Sequence, residues 1–420
     1  MLQFWFIANT VLWPFAIELG GLSLSLNVIA LMLIGPIWLW RKRRIALSSI
    51  KVLLLLLSSL VFSVIVALNA PCNDKFIKSM ITGPILIFLA FVGWEAGRRA
   101  QSSDWLNLEK TATWSLLAAF SAFLVEMAVP SLFPLQELYR IEGKFSGLFN
   151  EPSHVAFSLF PCIAVLLISE SKKTRRRGFF ALFGLLLFSR SSTLIALIAV
   201  WILYRLFIER RLRRAVQLGL GIVLVIGLGA ATNYERFLAP TVSRIVGVVA
   251  SSSTDNLSSL VYVQGWQDTW ANLMRTHGLG LGFNMMGCHP LPDVPVREIL
   301  AVGGLEELNA EDGSFQFGKI VSEAGVGGIV FYVAIIWWWL RLEKRIRRIE
   351  DNAARRAAST QAALIFCFVA ASFIRGGTYF SGGLLLWLIA ESGASKWQLN
   401  LTTVPAVSLD ASDIGSINEC

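Results

Sequence analysis

One stretch of this chain sets the terms for the rest. Val52–Leu68 reads VLLLLLSSLVFSVIVAL, without a single charge. About 20 apolar residues cross the hydrocarbon core of a bilayer as a helix. Only helices and closed barrels can span, because backbone polar groups find no water there. The run has no period-two alternation, so the helix is expected. Comparable runs recur along the 420 residues, and only 15% of the chain is charged; soluble domains carry about a quarter.

The apolar runs place spans at 4–19, 22–40, 50–69, 79–97, 111–130, 152–169, 178–189, 192–208, 215–232, 316–340, 359–374 and 379–394. The expected fold is an all-α membrane protein, a polytopic bundle of about 12 transmembrane helices with one large periplasmic loop. Residues 1–232 form an N-terminal transmembrane bundle and 233–315 the large loop. Residues 316–394 form the C-terminal transmembrane helices, and 395–420 a polar cytoplasmic tail expected to be disordered.

The net charge of +9 raises nucleic acid as a partner for a soluble protein. Here the positive charge falls between apolar spans instead. It clusters at Arg41–Arg44, Arg98-Arg99, Lys172–Arg177, Arg210–Arg214 and Arg341–Arg356. The positive-inside rule puts these clusters in the cytoplasm, with both termini, and removes nucleic acid as a partner. Of the five cysteines, Cys162 and Cys367 fall inside spans, while Cys72 and Cys288 fall in outer loops and can form a disulfide. There is no CxxC pair and no metal-ligand cluster. The apolar N-terminus lacks the basic region of a cleavable signal peptide and runs into a second span.

In this topology His154, His277 and His289 all fall on the outer side. A lone charge beside a span is a functional hypothesis by default. The segment Tyr139–Lys144 is followed by Gly147-Leu148-Phe149-Asn150-Glu151-Pro152-Ser153-His154. Pro152 suits the first position of a helix and makes Glu151 its N-cap. A helix N-terminus with Arg140 and Lys144 nearby suits phosphate. Glu151 is either a capping carboxylate or, with His154, a general base toward a hydroxyl. Arg190, between two short apolar helices, either binds phosphate or pairs with a carboxylate such as Glu126 or Glu323.

The large loop holds Ser243-Arg244, then Trp266 and Trp270 on one helix face, anchoring at the headgroups or stacking on sugars. His277-Gly278-Leu279-Gly280-Leu281-Gly282 follows, where alternating glycines let N–H groups approach an anion. Glu311-Asp312-Gly313-Ser314 leads into the span holding Glu323 and a glycine-rich run suited to close helix packing. Arg375, in the turn Phe373–Phe380, is either a fork for a diphosphate or an interfacial arginine at a helix C-terminus.

The order of these features resembles the O-antigen polymerase and ligase superfamily, the integral membrane C-type glycosyltransferases. The Phe149–Ser153 turn, Ser189-Arg190-Ser191, the Gly280-Leu281-Gly282 turn, Ser314 with Glu323-Ala324-Gly325, and the arginine turn ending in Tyr379-Phe380 carry the likeness. The Glu-Pro-Ser opening and the terminal arginine turn favour the polymerase branch. Ligases usually show a histidine where this chain has Glu311-Asp312-Gly313. Many members carry an arginine before the tryptophan helix, where this chain has Val261 and Gln264; Arg244 is the substitute. The resemblance implies an inner-membrane polymerase of undecaprenyl-diphosphate-linked oligosaccharide repeats, working without cofactor or metal. A chain-length regulator protein is the implied partner. Arg140, Lys144, Arg190, Arg244 and Arg375 are the implied substrate-binding residues, and His154, Glu151 and His277 the candidate bases. An O-antigen ligase transferring glycan to lipid A-core is the nearest rival; a lipid-oligosaccharide transporter is the rival of another class.

Overall fold

The computed structural model describes residues 1–132, 145–209 and 257–401, except Pro14, Gly20, Gly21, Arg43, Arg44, 69–72, Asn150, Glu306 and 376–378. The first half carries α1 (Leu2–Leu12), α2 (Leu26–Lys42), α3 (Leu47–Ala67), α4 (Asn73–Arg99) and α5 (Ser102–Ala128). Then come α6 (Pro152–Ile168), α7 (Lys172–Ser189) and α8 (Ser192–Glu209). The second half carries α9 (Leu257–Arg275), α10 (Pro295–Ala301), α11 (Gln316–Ala324), α12 (Val326–Ile346), α13 (Asn352–Ile374) and α14 (Gly382–Leu401).

Among the described residues, five helices are long and apolar enough to cross a membrane: most of α3 and α4, and all of α5, α12 and α13. Shorter apolar helices are α1, α6 and most of α8. The expected span 215–232 and the loop to residue 256 lie outside the described residues, as does the tail beyond Leu401.

Several expected boundaries move for physical reasons. The span 4–19 stops at Leu12. Beyond it, β1 (Ala16–Leu19) and β2 (Leu22–Ser25) pair antiparallel, with Leu19 opposite Leu22. The sequence Gly20-Gly21 between them is of the kind that favours hairpin turns, and the next helix starts at Leu26 instead of residue 22. The span 111–130 starts at Ser102, where Gln101 and Asp104 form a capping box. Its 27 residues measure roughly 40 Å at the helical rise, longer than the hydrocarbon core. The span 316–340 is two helices, broken at Gly325 with φ +61°. Only glycine takes that conformation freely, and a side chain there would strike the Gly278 carbonyl and Leu279.

Helix α6 is the centre of the bundle. Its residues from Val155 to Leu167 are all buried, as befits a helix apolar all round, and it packs against α5, α7 and α13. By contrast, only 6% of the spanning window of α3 is buried, against 78% for α13. Helix α4 meets α14 at Gly97, where a Cβ would collide with Ile389 and Ser392. The start of the chain is stitched to α14 and the turn before it. The Trp5 indole donates to the Leu385 carbonyl (3.0 Å). Asn27 donates to Asn9 (3.0 Å) and to the Phe380 carbonyl (3.2 Å).

The bundle has two unlike ends. At one end the helix termini carry the basic residues Arg41-Lys42, Arg98-Arg99 and Lys344-Arg345. Ion pairs Arg355–Glu170 (3.3 Å) and Arg356–Glu109 (3.0 Å) lie at that end too. At the other lie the start of α6, the end of α13, the start of α4 and the turn before α11.

Candidate functional site

The start of α6 is built by its neighbours. The buried Glu126 carboxylate of α5 accepts the N–H groups of Ser146 (3.0 Å) and Gly147 (2.7 Å). The Phe145 N–H donates to the carbonyl of Phe188 in α7 (2.9 Å). Gly147 has φ +59°, and a side chain there would meet the Phe123 ring. This turn delivers Glu151 to the N-cap and Pro152 to the first helical position, as expected.

The Glu151 side chain does not cap. It makes no cap hydrogen bond. Instead it accepts the Ser153 hydroxyl (2.8 Å) and the Arg375 guanidinium (2.5 Å). The capping alternative therefore fails, because a guanidinium is a stronger partner for a carboxylate than a backbone amide. Burial by itself raises the Glu151 carboxyl, but the charges of Arg375 and His154 and the Ser153 hydroxyl outweigh it. The carboxyl is held below its ordinary value, so it is ionised at neutral pH.

Arg375 is the C-cap of α13, and its N–H donates to Ala371 (2.9 Å). The Tyr262 hydroxyl donates to the Phe373 carbonyl (2.8 Å) and holds α9 against this turn. Arg375 and Glu151 are 35% and 33% exposed, so the pair is open to a ligand. His154, one helical turn into α6, meets the Trp13 ring edge-on at 5.3 Å. The charge of Asp312 also acts on His154. Asp312 itself is exposed. The start of α6 and the end of α13 thus meet through Glu151 and Arg375, and Ser314 of the 311–314 turn donates to the Val261 carbonyl of α9 (2.6 Å).

The 311–314 turn brings cations the sequence reading missed. Glu311 pairs with Lys75 (3.2 Å) and Lys78 (3.5 Å) from the start of α4. Partial burial raises the Glu311 carboxyl, but the two lysines overcome this and lower it. Lys75 also donates to the Met286 carbonyl (2.8 Å) and Lys319 to the Glu311 carbonyl (2.6 Å). The only sequence signal was the spacing of Lys75 and Lys78 on one helix face, which also fits lysines snorkelling at a span end.

The glycine-rich turn does not present its N–H groups to an anion. Leu281 and Gly282 donate to the Ser322 and Glu323 carbonyls (3.0 and 2.9 Å). Asn284 and Met286 donate to the Glu323 carboxylate (2.7 and 3.1 Å). Lys319 (3.0 Å) and the Tyr379 hydroxyl (2.6 Å) complete that carboxylate's shell. Glu323 is a structural pin that fastens the turn to the break at Gly325, and it is not the partner considered for Arg190. Glycines at 278, 280 and 282 all have positive φ, which the close approach to α11 requires.

The other expected site residues divide as follows. Arg190 caps the C-terminus of α7 in the left-handed region, φ +45°, between α7 and α8. His277, φ +50°, is exposed at the end of α9. His289 is exposed and faces Glu307 at 3.5 Å. Trp266 and Trp270 are both exposed, and Trp266 also leans on Phe315 at 4.8 Å. At the Val261–Gln264 position, Arg297 of α10 lies against α9 and grips Asp268 through both carboxylate oxygens (2.9 and 2.7 Å). Arg140, Lys144 and Arg244 lie outside the described residues. Cys288 is disulfide-bonded and Cys162 and Cys367 are free; the expected partner, Cys72, lies outside the described residues. No family model matches the chain, and no curated protein matches it.

Proposed function

We propose that this chain is a glycosyltransferase that polymerises undecaprenyl-diphosphate-linked oligosaccharide repeats at the outer face of the bacterial inner membrane. The observation that carries the reading is the ion pair between Glu151 at the start of α6 and Arg375 at the end of α13, with His154 beside it, at the end opposite the basic helix termini. By the positive-inside rule, that end faces outward. The disulfide at Cys288 suits the same side, because disulfides persist in oxidising compartments.

The chemistry then divides among these groups. Arg375 neutralises the diphosphate of the donor lipid. Arg190, Arg140, Lys144 and Arg244 are the further arginines and lysine assigned to the anion. The acceptor hydroxyl attacks the anomeric carbon as the carbon–oxygen bond to the diphosphate breaks. Glu151 or His154 takes the hydroxyl proton, and undecaprenyl diphosphate leaves with the electron pair.

The test is glycan ladder formation in a strain lacking the gene, complemented with wild type or Arg375→Ala. A single repeat on the lipid core, restored to a ladder only by wild type, supports a polymerase. Lipid-linked polymer with a bare core makes it a ligase. An unchanged ladder removes both readings in favour of a transporter.

A further inference from the structure

Helix α9 is amphipathic the wrong way round for water. At about 100° per residue, Tyr262, Val263, Trp266, Trp270, Leu273 and Met274 fall within about 120° of one face. None of the six is charged. Trp266 is exposed, Trp270 is 65% exposed and Met274 59%. The opposite face carries Gln264, Asp268 and Asn272, and all three are buried against the protein. Asp268 is met there by Arg297 of α10 (2.7 Å). A surface helix bathed in water turns its apolar stripe in and its polar residues out; α9 does the reverse.

The stripe does not stop with the helix. Leu279, 57% exposed, follows it. The Val326 N–H donates to the Gly278 carbonyl (2.8 Å), which seats the end of the stripe on the start of α12. Along that helix Val326, Val330, Val333 and Trp337 are exposed at helical spacing, on an element long and apolar enough to cross a membrane. The Arg341 guanidinium lies over the Trp337 ring at 3.5 Å, an aromatic and a cation together as at an inner interface. Val326 to Arg341 is fifteen helical steps, roughly 22 Å at the helical rise. The hydrocarbon core is about 30 Å thick, so it reaches past Val326 to the residues joined to it.

We infer that the Trp266–Trp270–Met274 face of α9 is inserted in the outer leaflet of the bilayer, held by lipid on that side and by the protein on the other. Two tryptophans suit such a place, where the ring is in hydrocarbon and the indole N–H at the headgroups. A carbohydrate fits the face less well. Binding sites for polar ligands add placed polar groups to their aromatic walls, and the one hydroxyl of this stripe, that of Tyr262, is spent on the Phe373 carbonyl (2.8 Å). The unbroken run into the outward face of α12 favours lipid over a second copy of the chain. The inference needs only that α12 spans the membrane, and it stands whatever the chemistry at Glu151.

The test places one fluorescent label at a time on the full chain. Cys420→Ser removes the tail cysteine, while Cys162 and Cys367 are buried and Cys288 is disulfide-bonded. In that background Trp270→Cys and Met274→Cys are labelled, with Glu307→Cys, whose side chain is 70% exposed, as the aqueous control. Each protein is reconstituted in phosphatidylcholine nanodiscs, which leave both faces open to solutes. Labels at 270 and 274 are expected to be quenched by phospholipid carrying a nitroxide high in its acyl chain. They should also be several-fold less accessible to aqueous iodide than the label at 307. Met274→Cys serves where Trp270→Cys fails to fold. Iodide quenching equal to that at 307, without nitroxide quenching, overturns the inference and leaves the stripe to a water-borne ligand such as a sugar. Protection from both quenchers overturns it too, because protein then covers the face.

Discussion

On the proposed function, the Glu151–Arg375 pair sets a carboxylate in competition with the substrate's anion for one guanidinium. Two unit charges about 4 Å apart attract by about 4 kcal/mol at an effective dielectric of 20. Desolvation and side-chain ordering return most of this in a pair a third exposed, leaving a coupling of about 1–2 kcal/mol. A diphosphate arriving at Arg375 must overcome that coupling. Glu151→Gln removes the competitor, so affinity for inorganic pyrophosphate should rise about 5–30-fold. Glycan transfer should fall by about 10²–10⁴ if Glu151 is the base. Arg375→Ala should lose both binding and transfer. The assay is pyrophosphate titration on purified wild type, both single variants and the double variant, beside ladder formation in cells. If Glu151→Gln weakens pyrophosphate as much as Arg375→Ala does, the pair is architectural and the competition does not exist.

Acid should break the same pair. The Glu151 carboxyl is depressed from 4.5, so its stabilisation is complete above that ordinary value and is lost as pH falls through the folded one. Thermal unfolding from pH 7 to pH 3 should show a loss that Glu151→Gln abolishes; equal acid sensitivity in the variant refutes it. Glu323→Ala strands Lys319 and the N–H groups of Asn284 and Met286 and should cost about 3–5 kcal/mol, read as a lower Tm and poor yield. Gly325→Ala meets both a left-handed φ and the Gly278 carbonyl. It should cost more than about 1 kcal/mol, whereas Gly327→Ala, with open space around it, should be nearly neutral in the same melt.

Spans are legible in a sequence because hydropathy acts locally. The start of α6 was legible for the same reason: Pro152 after Glu151 is a helix-start signal whatever surrounds it. What Glu151 does there was not, because its partner lies 224 residues away and periodicity carries no information about which turns meet. Gly325 was visible in a glycine-rich run, but a glycine that permits packing and one that breaks a helix look alike until φ is known. The glycine turn at 278–282 was legible as a turn. That its amides are consumed by Leu273 and Thr276 at the end of α9 and by the Ser322 and Glu323 carbonyls depends on the depth at which α11 stops, which is a tertiary fact. Lys75 and Lys78 escaped notice because lysines at a span end need no further explanation.

The stitching of Trp5, Asn9 and Asn27 to α14 and the turn before it has a consequence in time. Trp5 and Leu385 are separated by 380 positions, on the order of 20–80 s of synthesis at ribosomal rates. Throughout that interval the Trp5 indole has no Leu385 carbonyl to bond, and Asn27 can bond only Asn9. An unsatisfied polar group in hydrocarbon costs several kcal/mol, so these side chains must wait in a sheltered place. The Asn9–Asn27 bond is one such shelter, and the membrane insertion machinery is another. Arg375 reaches Glu151 only when α13 is complete, so the site closes at the end of assembly. A chain caught before α13 is complete presents the Glu151 carboxylate without its guanidinium.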